Sequence, residues 1–111
     1  MISGEISFNM KYKIINTRRF DENLQDIITY IRDEFSSKEA NEYLNYLHEQ
    51  IENLKIFPDI GRIPRSLALL KQGYRFLVSK QNLLFYKIDE INKNIILYTI
   101  VSSKQDYINL I

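Results

Sequence analysis

This chain is predicted to adopt an α+β fold: an N-terminal strand and an antiparallel two-helix hairpin packed on a mostly antiparallel sheet of about four strands. Three observations predict it. Residues 20–35 and 40–57 repeat apolar side chains at three- and four-residue spacing, which gathers them on one face of a helix. Three β-prone stretches follow in succession at 74–78, 83–88 and 95–101. A fourth, at 12–15, precedes the helices. Paired helices with an apolar stripe need another layer to cover it, and a sheet of these strands supplies one.

In chain order, 12–15 is the first strand, and Asn16-Thr17 then offers a helix cap. Phe20, Leu24, Ile27, Ile28, Ile31 and Phe35 form the stripe of a helix of about five turns. Asp21 and Glu22 lie in its early turns, where negative charge complements the helix dipole. Ser36 is followed three residues later by Glu39, the spacing of a capping box, so a second helix starts there. Ala40, Tyr43, Leu44, Leu47, Ile51, Leu54 and Phe57 line it. Pro58 ends it because proline has no backbone N–H to donate. So short a connection makes the helices antiparallel, a hairpin about 30 Å long.

Residues 57–65 are irregular, since Pro58, Gly61 and Pro64 interrupt either regular structure, and they carry Arg62 and Arg65. Residues 66–71 suit a helical turn or an extended approach to the sheet equally well. In the strand at 74–78, Tyr74, Phe76 and Val78 read as the core face, which turns Arg75 and Leu77 to the other. Lys80-Gln81-Asn82 supplies a turn. Residues 83–88 are apolar on both faces, as a central strand is, and after a second turn 95–101 closes a meander. The sheet face away from the hairpin is expected to carry Arg75, to be bordered by Lys104, Tyr107 and the Gly61-Arg62 loop, and to stay open to a partner.

With 111 residues the chain has the size of one domain. It has no cysteine, which excludes thiolate chemistry, disulfides and cysteine metal sites, and makes the cytoplasm the simplest compartment. No apolar run approaches the roughly 20 residues of a membrane span, and residues 1–8 lack a secretory pattern. His48, the single histidine, falls off the apolar stripe and reads as a surface residue. No cofactor or metal is expected. Net charge is +1, but its distribution is uneven. Through Phe57, seven basic residues face ten acidic ones; from Pro58 onward, eight face four. A basic strand half suits nucleic acid or an acidic protein segment, and charge alone does not separate the two.

The order of these elements, with particular residues, resembles the RelE/ParE superfamily, the toxins of type II toxin-antitoxin modules. The resemblance spans roughly residues 10–107. It is carried by Phe57-Pro58 and Gly61-Arg62 at the end of the hairpin, Gly73-Tyr74-Arg75 at a strand entry, Leu84-Phe85-Tyr86-Lys87-Ile88, and Lys104-Gln105-Asp106-Tyr107 after the last strand. Met10-Lys11-Tyr12 is similar to a usual family start. Residues 1–9 therefore read as an extension, expected to be disordered, or as a mis-called start, and 10–111 as a single toxin domain.

The resemblance implies a toxin that binds a large target and is neutralised by a cognate antitoxin. RelE-like members are ribosome-dependent endoribonucleases that cut mRNA, whereas ParE-like members poison DNA gyrase. A ribonuclease must take the 2′-hydroxyl proton, steady a charged phosphorane and protonate the leaving oxygen. By resemblance Arg75, Lys104 and Tyr107 are the candidates for that work. Leu77, Leu84 and Gln105, however, stand where efficient ribonucleases carry charge, which favours the ParE-like branch and gyrase. Binding of target or antitoxin is assigned to Arg62, Arg65, Arg75, Lys80 and Lys104, with a homodimer as a further option. The plainer readings are that Arg75 pairs with a carboxylate, that Arg62 and Arg65 solvate their loop, and that the domain is a toxin-derived interaction module without toxicity.

Overall fold

A computed structural model describes residues 11–104. Along it run β1 (Lys13–Asn16), α1 (Arg18–Glu34), α2 (Ser37–Ile56), a 3-10 turn (Pro58–Ile60), α3 (Leu67–Lys71), β2 (Arg75–Ser79), β3 (Asn82–Asp89) and β4 (Asn94–Ser102). The extension at 1–9 and the candidates Gln105 and Tyr107 lie outside the described residues. The architecture is α+β, a helical hairpin on one four-stranded sheet of order β1-β4-β3-β2. β2, β3 and β4 form an antiparallel meander, and β1 lies parallel to β4 at the edge.

Local chemistry sets the element ends. The Thr17 hydroxyl accepts the Phe20 N–H at the start of α1 and donates to the carbonyls of Leu97 and Tyr98, tying the helix to β4. Ser36 accepts the Glu39 N–H at the start of α2. Its own N–H goes back to the Ile31 carbonyl, so the end of α1 takes the donor that a reciprocal capping box would use. Ser66 accepts the Leu69 N–H, and 66–71 becomes a helical turn. That turn closes with Tyr74 N–H on Leu69 O and Gly73 N–H on Leu70 O, the Schellman pattern, and Gly73 has the positive φ of 84° that the pattern requires.

Two cores result. Between hairpin and sheet lie Phe20, Tyr43, Leu47, Leu54, Leu77, Leu84, Tyr86, Ile95, Leu97 and Ile100. On the other sheet face Leu69, Tyr74, Leu83, Phe85 and Val101 pack together, with Phe76 and Tyr98 against them. This corrects the expected faces of the first meander strand. Leu77 sits in the hairpin core, so Arg75, two residues earlier on the same strand, lies on the hairpin side too. Val78 is 41% exposed. The alternation was real, but both faces of the strand carry apolar residues, and the pattern alone does not say which faces the helices. The face away from the hairpin is a small aromatic core rather than an open surface bearing Arg75. Phe35 and Phe57, placed in the helical stripes, are the capping residues at the two helix ends and are exposed.

Candidate functional site

Pro58, Gly61 and Pro64 leave the segment after α2 with little regular hydrogen bonding, and two side chains from the sheet hold it instead. The Tyr86 hydroxyl donates to the Pro58 carbonyl at 2.6 Å and accepts the Gly61 N–H at 3.0 Å. Burial pushes its pKa up, so the phenol remains a neutral donor. A side chain at 61 would come within 2.3 Å of that hydroxyl, and glycine is required there for the close approach. Beside Tyr86, and opposite it in register, Arg75 donates to the Gly61 carbonyl at 3.2 Å and lies 3.5 Å from the Asp59 carboxylate. Arg62 then exchanges two backbone bonds with Phe76, of 2.7 and 2.9 Å, which covers part of the free edge of β2. The Arg62 and Arg65 side chains are exposed and form no ion pair among the described residues.

Lys80 and Lys104 belong to a different place. Lys80 sits at the β2–β3 turn with φ of 58°, its ammonium 4.4 Å from the centre of the Tyr46 ring. With Lys104 it borders a groove of about 900 Å³ at the end of the hairpin where the two helices connect, whose apolar lining includes Tyr30, Phe35 and Tyr46. Glu39 and Glu42 line the helical side of that groove. It is therefore basic along the sheet and acidic along the helices.

Register sets how far apart the two groups are. Arg75 is level with Tyr86 and Leu97, while Ser79 is level with Asn82 and Ser102, two residues before Lys104. Four residues of strand, roughly 13 Å at about 3.3 Å each, separate the two levels. The structure places Arg62 and Arg75 toward one end of the sheet and Lys80 and Lys104 at the other, with Arg65 in the loop that follows Arg62. Leu77 and Leu84 face one another across β2 and β3 inside the hairpin core, so neither position opens onto a surface. His48 is exposed. Among the described residues no cluster of acidic, histidine or cysteine side chains could hold a metal ion, and no helix is long and apolar enough to cross a membrane.

Tyr86 was not singled out by the sequence. Its signal was the one hydroxyl amid Leu83, Leu84, Phe85 and Ile88 of the central strand, which demands a buried partner. Asp59 was hidden in the same way, since nothing in the sequence ties a loop carboxylate to an arginine on a later strand.

Residues 14–107 match the family model described as the ParE toxin of the type II toxin-antitoxin system parDE. No curated protein sequence matches. The fold is similar to that of a chain in the chromosomal ParDE toxin-antitoxin system of P. aeruginosa, with a TM-score of 0.67 and 16% identity over 84% of this chain and 97% of that one. It is also similar to a chain of the RelBE2 toxin-antitoxin complex of Mycobacterium tuberculosis, with a TM-score of 0.57 and 13% identity over 83% and 98% of the two chains.

Proposed function

The chain belongs to the ParE toxin family of type II toxin-antitoxin systems, and from that premise we propose that it arrests growth by binding DNA gyrase and is neutralised by a cognate antitoxin. One observation carries the choice of target. Of the three residues that a ribonuclease would use, the two described do not converge: Arg75 is engaged with Asp59 and Gly61 at one end of the sheet, and Lys104 stands beyond the other end. General acid–base cleavage needs its groups within hydrogen-bond reach of one phosphate, directly or through one water. A poison needs only a complementary surface. The basic strand half and the exposed Arg62 and Arg65 suit such a surface on a protein that works on DNA.

The antitoxin part of the proposal is supported by the company of the similar folds, both of which come from toxin-antitoxin assemblies. The groove between Lys80 and the hairpin, apolar with charge of both signs at its rim, is the surface such a partner would cover. Induction in a bacterial host lacking antitoxin tests the target. The expected outcome is a DNA-damage response with transcripts intact. Cut transcripts and immediate translation arrest would instead assign the chain to mRNA cleavage, and undisturbed growth would remove toxicity altogether.

A further inference from the structure

The groove at the connected end of the hairpin has its charges sorted by wall. Asn82 pairs with Ser102, so Lys80, two residues before the one, and Lys104, two residues after the other, leave the sheet at the same end. The Tyr46 ring, 4.4 Å away, holds the Lys80 ammonium at the rim. Glu39 and Glu42 stand on the opposite wall, where a spacing of three residues puts both on one face of α2. Between the walls the fold leaves aromatic side chains uncovered. Tyr30 is 61% and Phe35 62% exposed, and their rings meet edge to face with centres 6.4 Å apart.

We propose that this groove is the interface of a homodimer, occupied by a second copy of the chain related to the first by a two-fold axis. A two-fold interface uses the same patch twice, so the patch must be complementary to itself. A patch with a basic wall, an apolar floor and an acidic wall meets that condition, because rotation about an axis through the floor lays each basic wall on the other copy's acidic one. Lys80 and Lys104 then face the partner's Glu39 and Glu42, while Tyr30 and Phe35 of both copies leave water at the centre, as the core of an interface does. Other occupants match the charge less well. Residues 105–111, which begin at this rim, bring a single charged side chain, Asp106, and would leave the glutamates unanswered. Nucleic acid would be drawn to the lysines and repelled by the glutamates. With a net charge of +1, two copies approach without general repulsion. The antitoxin proposed above would compete for the same surface; the dimer is measured without it, so failure of one reading leaves the other standing.

Sedimentation equilibrium of the purified full chain over a hundredfold range of concentration tests this. Wild type is expected to pass from monomer to dimer, with association weakening as salt rises. Lys80→Glu with Lys104→Glu, and separately Glu39→Lys with Glu42→Lys, should each weaken self-association at least about tenfold, because both halves of the interface then oppose like charges. An equimolar mixture of the two variants should dimerise again, since every pair across the axis is once more of opposite sign, and that recovery also shows both variants to be folded. The chain with all four residues reversed should dimerise too, and its net charge is that of wild type, so general attraction between unlike proteins is not the cause. Lys71→Glu, an exposed change outside the groove, should leave association as it is. The proposal is overturned if wild type is a monomer at every concentration or if the reversed variants dimerise like wild type. It is overturned equally if both variants are monomers with the far-UV circular dichroism of wild type and neither the mixture nor the fourfold reversal restores the dimer.

Discussion

Tyr86 and Arg75 face each other across β3 and β2, and between them they hold Pro58, Asp59 and Gly61 in place. Tyr86→Phe leaves the Gly61 N–H and the Pro58 carbonyl without that partner in a buried place. Its expected cost is about 1–3 kcal/mol, the penalty for stranded buried polar groups, read as a lower urea midpoint with unchanged slope. Arg75→Ala should cost less, under about 1 kcal/mol, because Asp59 is largely exposed and its ion pair is screened by water. At this scale the sequence offered the reading that Arg75 pairs with a carboxylate. It did not show that the carboxylate would be Asp59, because that contact is made only once the 58–61 turn has folded back onto the sheet. Arg75 is thus first a fastening for the turn, whatever surface it also presents.

Among elements, the helices were the most legible. Their three- and four-residue apolar spacing and the hydroxyl caps at Thr17 and Ser36 are local signals, and both caps form. The strand faces were less so. β2 carries apolar side chains on both sides because a core lies on each face of the sheet, and its polar residues Arg75 and Ser79 share the hairpin face with Leu77, so the polar pattern pointed to the wrong orientation. The segment 66–71 stood undecided until the Ser66 cap and the Schellman closure at Gly73 were both satisfied. Gly73→Ala should therefore cost about 1–2 kcal/mol, the strain of a side chain in left-handed backbone. Nothing lies within 4 Å of the added atom, so the loss would come from conformation and not from a clash. Gly61→Ala is the opposite case. Its φ is ordinary, and its cost would come from collision with the Tyr86 hydroxyl. The pair separates the two reasons for glycine: with Tyr86→Ala in the background, the measured loss for Gly61→Ala should shrink and that for Gly73→Ala should not.

For the whole molecule, burial ties the fold to the protonated state of three tyrosines. Tyr43, Tyr74 and Tyr86 each have a pKa raised from 10.0, burial being the largest cause in every case. Above pH 10.0 the unfolded chain loses these protons before the folded one does. Stability from this source is thus complete below that pH and is lost as pH rises through the raised folded values. The urea midpoint, followed from pH 7 to pH 11, should stay level and then fall, less steeply in Tyr86→Phe than in wild type.

Element order was legible from residue types, and together with the short motifs at 57–62, 73–75, 84–88 and 104–107 it carried the resemblance to the toxin superfamily. The distribution of the candidate residues was not legible, because it depends on register. Only the pairing of Arg75 with Tyr86 and of Ser79 with Asn82 puts Arg75 and the lysines at opposite ends of the sheet. That separation is the reason for reading the chain as a protein that binds its target without cutting RNA. The most direct measurement incubates the purified protein with DNA gyrase, ATP and relaxed plasmid, then traps protein-linked breaks with detergent and protease. The account predicts inhibited supercoiling with accumulation of linear DNA in proportion to the added protein. Unimpaired supercoiling, together with cleavage of mRNA on programmed ribosomes by the same preparation, would contradict it.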